Sequence, residues 1–230
     1  NVMPYAELPF SPTIIGSTKI VEGDFDDCLK MLMTDIEEEY KFKAGRAVLT
    51  DHSRHVTEKD KKRPLIYLSG FERYDADGVE VFEKMKEICA EYGYEAISPL
   101  DHAPGVMDTD SDNPYMKAMN LFDRFQQHVR NCDIIIANLN DYRGYEINND
   151  VAFECGMGFE LGKKLYGYMD NTDKLTNRIP SLGADREYRD QTGSNVEDFD
   201  YPANLMFGSS MKIFEGKFES IIKKVIEDVQ

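Results

Sequence analysis

Short apolar runs alternate with helical patterns from residue 65 onward, and this alternation limits the folds open to the chain. Four runs predict strands: "LIYLS" (65–69), "YEAISPL" (94–100), "DIIIANL" (133–139) and "KLYGYM" (164–169). Helical spacing of apolar residues fills the intervals between them. Continuous apolar runs are typical of strands covered on both faces. The βαβαβαβ order therefore predicts an α/β fold with a flavodoxin-like parallel sheet flanked by helices.

The first sixty residues differ from this pattern. A single helical pattern in "DFDDCLKMLMTDIEEEYKF" runs toward Gly45 as a stop, and the polar stretch "TDHSRHVTEKDKKR" follows it. We therefore predict an accessory segment and linker over residues 1–62 and a second domain over residues 63–230. The Asp-, Asn-, Arg- and Gly-rich residues 170–200 are predicted to form a lid or a packed surface loop.

Charge and hydropathy exclude several classes of partner. The net charge of −16, from 43 acidic and 27 basic residues, would repel a phosphate backbone, so no nucleic-acid partner is expected. No apolar run approaches the length of about 18 residues that a membrane span needs. The amino terminus lacks a basic region followed by an apolar one, so a cytoplasmic location is expected.

Three stretches resemble metal or cofactor motifs, and none is complete. His52 and His55 lie three apart, but no further ligands accompany them in their charged surroundings. The acidic "DTDSD" (108–112) is followed by neither the Gly nor the Glu of a calcium loop. The glycines of residues 156–162 do not match GxGxxG. We expect no metal and no cofactor.

In open parallel sheets, ligands bind at the carboxyl ends of the strands, which selects a few residues here. Ser69, Gly70 and Phe71 follow the first strand, and Asp101 follows the second. The loop after the third strand leads to Glu154. Gly70 and Phe71 are predicted to contact the substrate, because they come directly after the first strand.

The stretch "DVAFECGMGFELGKKLYGY" (150–168) contains Phe-Glu-x-Gly twice, with Glu154 and Glu160. Six residues turn a helix by about 600°, so the two side chains point to different sides. We assign Glu154 to the first helical turn, where the helix dipole favours an ionised, nucleophilic carboxylate. Glu160 falls near the carboxyl end of the helix and is expected to be a solvated residue.

Five motifs in order resemble the nucleoside 2-deoxyribosyltransferase family over about residues 65 to 228: "IYLSGF", "SPLD", "NCDIIIANLNDYRG", "VAFECGMGFELGKKLYGY" and "YPANLM". In that family, the nucleophilic glutamate is followed by Gly two residues later and by a Gly-Lys pair before the next strand. If Glu154 is the nucleophile, Gly162 and Lys163 fall in register. If Glu160 is the nucleophile, no helix remains before the fourth strand.

The resemblance implies a reaction and roles for several residues. Glu154 would attack the anomeric carbon of a 2'-deoxynucleoside and form a covalent deoxyribosyl-enzyme, which a second free nucleobase then attacks. Tyr67 matches a tyrosine that orients the nucleophile. Asp101 in "PLD" would handle the proton of the departing base or hold that base, and Asp123 is a weaker alternative.

The resemblance also implies an assembly and contains one departure. Asn204 and Met206 match a segment that reaches the sugar hydroxyl from a neighbouring subunit, so we expect a homo-oligomer built from dimers with shared active sites. Family members carry Asp six residues before the nucleophile, where it binds the 5'-hydroxyl, and Gly four before it. Here these positions hold Asn148 and Asp150. Either residue could supply the hydroxyl contact.

Two other functions fit the same scaffold. A nucleoside or deoxynucleotide N-glycosidase would use water as the acceptor. The excess of acidic residues and the "NLM" segment disfavour a 5'-phosphate on the substrate, because a phosphate site would need Ser, Arg or Gly-rich donors. Arg143 alone gives weak support for a phosphate site. A non-catalytic nucleoside sensor, with the amino-terminal segment reporting occupancy, is the third reading.

Overall fold

A computed structural model describes residues 11–46, 64–103, 113–182 and 188–229. In chain order the elements are α1 (Pro12–Ser17), α2 (Phe25–Arg46), β1 (Leu65–Ser69), a 3-10 helix (Phe71–Tyr74), α3 (Gly78–Glu91), β2 (Glu95–Ile97), α4 (Pro114–Asn131), β3 (Ile134–Asn138), α5 (Asn149–Glu160), β4 (Lys164–Met169), α6 (Leu175–Arg178), α7 (Leu205–Ser210), β5 (Lys212–Glu215) and α8 (Phe218–Val229). His52, His55 and the "DTDSD" motif lie outside the described residues.

The five strands form one sheet in the order β2-β1-β3-β4-β5, and all four pairings are parallel. This confirms the predicted α/β fold with a parallel sheet flanked by helices. The chain moves from β1 to β2 on one side and then crosses to β3 on the other. The strand order therefore reverses between β1 and β3, where a parallel sheet opens a crevice for ligands.

The sequence did not predict β5. Its four residues, "KIFE", place only two apolar residues between a lysine and a glutamate at the edge of the sheet, which is too short an apolar run to predict a strand. The second strand is also shorter than predicted, because only residues 95–97 pair with β1. Within residues 170–200, the structure contains α6 and two isolated bridges, Ser181 to Asp190 and Arg189 to Asn195.

Apolar side chains cover both faces of the sheet. All five residues of β3 are buried, and the four apolar ones alternate between two clusters. Ile134 and Ile136 pack with α3 and α8 on one face, whereas Ile135 and Ala137 pack with α4 and α5 on the other. Fully burying one aliphatic side chain contributes about 1.5–3 kcal/mol, so β3 anchors the fold.

Gly158 brings α5 unusually close to the sheet. A Cβ atom at this position would lie 2.4 Å from Cδ1 of Ile135 and 3.0 Å from Cδ2 of Leu165. Any larger residue would push the helix away. Because Glu154 precedes Gly158 by four residues, both lie on the same face of α5. The close packing at Gly158 therefore holds Glu154 against the sheet.

The chain divides into two compact units, one of residues 1–16 and 62–230 and one of residues 17–61. The described residues 11–16 group with the sheet, and the predicted domain boundary at residue 62 stays a prediction. The predicted amino-terminal helical pattern is α2, which continues through Gly45 to Arg46. No helix in the described ranges is long and apolar enough to cross a membrane.

Candidate active site

A buried carboxylate lies at the crevice between β1 and β3. Glu154 on α5 is 1% exposed, and the Oγ of Ser69 donates to its Oε2 at 2.5 Å. The Nη2 of Arg73 donates to its Oε1 at 2.8 Å. Ser69 ends β1 and Arg73 belongs to the 3-10 helix that follows. The first strand and its outgoing turn thus hold both oxygens of Glu154.

The position of Glu154 within its helix differs from the expectation. The side chain of Asn148 caps α5 by accepting from the backbone N–H groups of Asp150 and Val151, so the helix begins at residue 149. Glu154 is therefore in the second turn, and the assignment to the first turn was wrong. The helix dipole acts mainly within the first turn. The charge of Glu154 is governed instead by its burial and its hydrogen-bond partners.

Burial and pairing act in opposite directions on this carboxylate. Burial raises the pKa of Glu154 above its ordinary value, while the charge of Arg73 and the Ser69 hydrogen bond lower it in part. Burial alone would lower the pKa of Arg73, but the acidic groups around it, Glu154 first, together more than offset burial, and that pKa lies above its ordinary value. Arg73 is therefore permanently cationic beside the carboxylate.

Tyr67 lies in the same buried cluster. Its side chain on β1 is fully buried and stacks on His128 with ring centroids 5.8 Å apart. Burial, followed by the negative charge of Glu154, raises the pKa of Tyr67 well above its ordinary value, so its hydroxyl is neutral. The predicted role of Tyr67 in orienting the nucleophile stays a prediction.

Asp101 closes the turn after β2. Its Oδ2 accepts from the backbone N–H of Ser98 at 2.7 Å, and its Oδ1 pairs with Lys86 at 2.5 Å. Burial would raise the pKa of Asp101, but the hydrogen bonds from Lys86 and Ser98 lower it below its ordinary value. A carboxylate held in this way is a better acceptor than proton donor. The alternative acid, Asp123, is exposed on α4.

Asn148 and Asp150, the two candidates for the sugar hydroxyl, have different surroundings. The side-chain oxygen of Asn148 is engaged in capping α5. Asp150 is 1% exposed, and its two carboxylate oxygens accept from the hydroxyl groups of Thr13 and Tyr74. The carboxylate of Asp150 therefore already accepts hydrogen bonds from two hydroxyl groups. Which residue binds the sugar stays a prediction.

A cavity of about 660 Å³ opens at the same carboxyl edge of the sheet. It is lined by Phe71, Asn140, Asp141, Asp170, Asn171, Asn177 and Arg178. Its wall combines one aromatic ring with amides and charged groups. Phe71 also packs on the ring of Tyr142, with centroids 5.2 Å apart.

Gly70 has a structural reason to lack a side chain. A Cβ atom there would lie 1.9 Å from Oε2 of Glu72. Glu72 is itself buried, and its Oε1 accepts from Nδ2 of Asn138 at 2.8 Å and from the hydroxyl of Tyr168 at 3.1 Å. These bonds tie the turn after β1 to β3 and β4. The substrate contact predicted for Gly70 stays a prediction.

Asn204 and Met206 belong to α7. The side chain of Asn204 caps this helix by accepting from the backbone N–H groups of Met206 and Phe207. Met206 is 71% exposed. In the described part of the chain, the hydrogen-bond partners of Glu154 are Ser69 and Arg73. The predicted contribution of α7 to a neighbouring site stays a prediction.

Sequence reasoning missed Arg73, Tyr74 and Thr13 as members of the cluster. A signal for Arg73 was present, since the charged pair Glu72-Arg73 follows a buried strand directly, at the ligand-binding end of the sheet. Thr13 gave no such signal, because it lies 137 positions before Asp150 in the chain.

A family model described as nucleoside 2-deoxyribosyltransferase matches residues 66–206. The chain belongs to the nucleoside 2-deoxyribosyltransferase family. This confirms the family expected from the five motifs. The family acts on nucleosides and nucleobases.

Several individual proteins are similar to this chain. A 2-desoxiribosyltransferase from Leishmania mexicana has a TM-score of 0.57 and 25% identity, and the match covers 72% of this chain and 98% of that one. A 2-deoxyribosyltransferase from Bacillus psychrosaccharolyticus has a TM-score of 0.42 and 17% identity over 68% of this chain and 89% of that one. An uncharacterized protein of Schizosaccharomyces pombe is 26% identical over 131 residues, which span 56% of this chain and 58% of that relative.

Proposed function

We propose that this protein is a nucleoside 2-deoxyribosyltransferase that moves the 2-deoxyribosyl group between nucleobases through a covalent intermediate on Glu154. The observation that supports this is the buried carboxylate of Glu154, held by Ser69 and Arg73 at the crevice of a sheet of this family. The substrates are 2'-deoxynucleosides and free nucleobases.

The reaction has two displacement steps. A carboxylate oxygen of Glu154 bonds to the anomeric carbon while the C–N bond breaks, and the departing base takes the electron pair and a proton from water. A nitrogen of the second base then attacks the same carbon, the ester bond to Glu154 breaks, and the incoming base loses a proton. We assign Tyr67 to orienting Glu154. We assign Asp101 to holding the base, because its lowered pKa disfavours proton donation at neutral pH.

Arg73 and Ser69 would favour the second step over the first. Formation of the ester removes the negative charge of Glu154 and leaves Arg73 without its ion pair in a buried site. Such a loss is costly. Breaking the ester restores the ion pair, so the two donors make Glu154 a good leaving group. This favours transfer to a second base over accumulation of the covalent intermediate.

One assay separates the three functions that fit the scaffold. The protein is incubated with 2'-deoxyinosine, with and without free adenine, and products are followed by chromatography. A transferase forms deoxyadenosine only when adenine is present. A hydrolase releases hypoxanthine and free deoxyribose equally in both tubes, and a nucleoside sensor gives no product in either. The second or third outcome would contradict the proposal.

We also propose that Asn204 and Met206 of one chain complete the site around Glu154 of its neighbour in a two-fold dimer. The variants Glu154→Ala and Asn204→Ala should each be severely impaired. After mixing, unfolding and refolding, about half of the dimers are mixed, and each mixed dimer has one intact site, so about a quarter of wild-type activity returns. No recovery despite proven heterodimer would place each site within one chain.

Asn204→Ala also removes a helix cap, so it needs a matched control. Asn113 caps α4 through the same pair of backbone contacts, to the N–H groups of Tyr115 and Met116. Loss of either cap should cost about 1 kcal/mol of folding stability. Asn113→Ala should keep most of the transferase activity, which separates loss of the cap from loss of a substrate contact.

A further inference from the structure

The short helix α1 lies outside the family match and reaches the buried cluster through Thr13. The hydroxyl of Thr13 donates to Oδ1 of Asp150, while the hydroxyl of Tyr74 donates to Oδ2. Thr13, Asp150 and Glu154 are each only 1% exposed. A substrate cannot reach Glu154 in this arrangement. Some part of the structure that covers the site must therefore move before a nucleoside binds.

The hydrogen bond from the Thr13 hydroxyl to Asp150 is of the kind that a sugar hydroxyl would form with the same carboxylate. Asp150 and Glu154 are four residues apart on α5, so their side chains lie on one face with Cβ atoms about 5–6 Å apart. A pentose with its anomeric carbon at Glu154 would extend a hydroxyl toward the position one turn away. That position is Asp150, where the alcohol of Thr13 is bound.

We propose that Thr13 is an internal stand-in for a hydroxyl of the donor sugar, and that a donor nucleoside must displace α1 from Asp150 to reach Glu154. This inference rests on the proposed function, because it takes Glu154 as the residue that attacks the sugar. Tyr74, which lies in the turn after β1, stays on Asp150 and would hold the carboxylate in place for either alcohol.

Two features make α1 easy to displace. It has six residues, which is too short for a helix to be stable without packing. The hydroxyl of Ser11, just before it, is shielded from solvent and finds no hydrogen-bond partner among the described residues. A buried hydroxyl without a partner favours release to water. The hydrogen bond from Thr13 to the Asp150 carboxylate opposes this release.

The kinetic test replaces the alcohol by a methyl group of the same shape. With 2'-deoxyinosine as donor and adenine as acceptor, Thr13→Val should lower the donor KM about tenfold, which is what one hydrogen bond to a charged group supplies, and should keep kcat within about twofold. Thr13→Ser should restore the wild-type KM. Thr34→Val is the matched control, because Thr34 is an exposed residue of α2 whose hydroxyl donates to the backbone carbonyl of Lys30 in the same helix. An unchanged or raised KM for Thr13→Val would overturn the inference.

A second measurement keeps Thr13 intact and does not depend on turnover. Amide hydrogen exchange of residues 11–17 is measured in Glu154→Gln with and without saturating 2'-deoxyinosine. Displacement of α1 should make exchange at least severalfold faster when the nucleoside is bound. Slower or unchanged exchange would mean that α1 stays in place or closes over the sugar, and this would overturn the inference.

The outcomes separate this inference from the function on which it rests. If wild type and Thr13→Val both exchange bases with equal KM values, the proposed function stands and the inference fails. If neither protein turns over or binds 2'-deoxyinosine, 2'-deoxyadenosine, 2'-deoxycytidine or thymidine, both fail.

Discussion

The helix α8 of the sheet unit buries its apolar side chains, whereas the helix α2 of the amino-terminal unit exposes many of its own. The buried residues of α8 are Phe218, Ile221, Ile222, Val225 and Ile226. The apolar residues that α2 leaves exposed include Phe25, Leu29, Leu32, Met33 and Ile36. Phe25 is 79% exposed, whereas Ile221 and Ile222 are fully buried. The helix α2 was expected from the spacing of its apolar residues.

This contrast shows that apolar periodicity predicts a helix but does not predict what the helix packs against. In the sheet unit, apolar faces meet across β1, β3 and β4, and the resulting core fixes Glu154 and its partners. In the described part of residues 17–61, the structure shows one long helix with no comparable buried core. Stability and chemistry should therefore depend on the sheet unit.

The sharpest test of where the chemistry lies compares two glutamates of α5. Glu154→Gln should lower base exchange by about a thousandfold or more, because an amide cannot form the covalent ester. Glu160→Gln should keep most of the activity, because Glu160 is exposed at the end of the helix. Rates of deoxyinosine-to-adenine exchange check this. An inactive, folded Glu160→Gln beside an active Glu154→Gln would refute the assignment.

A stability comparison addresses the two regions directly. Ile136→Ala removes most of a fully buried side chain on β3 and should lower the free energy of unfolding by about 3 kcal/mol. Leu32→Ala on α2, where the side chain is 53% exposed, should change it by less than about 0.5 kcal/mol. Urea unfolding of both variants gives the two values. Similar losses would mean that α2 is as well packed as the sheet.

The pH dependence of activity tests the buried ion pair. Glu154 must be ionised to attack the sugar, and its raised pKa places the acid limb of kcat/KM above the ordinary range of a glutamate. Arg73→Met removes the positive charge that lowers this pKa, so the limb should move to still higher pH. Arg130→Met, on the surface of α4, is the control and should leave the limb in place. A shift of the limb to lower pH in Arg73→Met would contradict the role of Arg73.

The smallest effect is expected from shortening the chain. A protein that begins at residue 62 should still unfold in one cooperative transition. The loss of the Thr13 hydrogen bond should cost about 1 kcal/mol, or about 2–4 °C in Tm for a domain of this size. Differential scanning calorimetry measures both. A broad transition would show that the amino-terminal residues belong to the folded core.

The sequence predicted the sheet well where the apolar signal was continuous. β3, with three isoleucines in succession, is the clearest case, and β4 began and ended where expected. β5 was not predicted, because an edge strand needs no long apolar run. The start of α5 was also misplaced, since the capping role of Asn148 was not recognised and Glu154 moved from the first turn to the second.

The site was predictable only in part, for a physical reason. The Gly-Lys register identified Glu154, and the strand-end rule pointed to the segment after β1. The contacts that set the charge of Glu154 depend on tertiary packing, however. Arg73 could have been suspected from its place after a buried strand. Thr13 could not, because no local pattern links it to Asp150.

The parallel pairing of β1 with β3 also has a consequence for how the chain folds. Ser69 and Arg73 lie 85 and 81 positions before Glu154, and the chain between Arg73 and Glu154 forms α3, β2, α4 and β3. Pairings of such long sequence separation slow folding. The cluster around Glu154 should therefore form late, so that removing its contacts speeds unfolding and leaves the folding rate nearly unchanged.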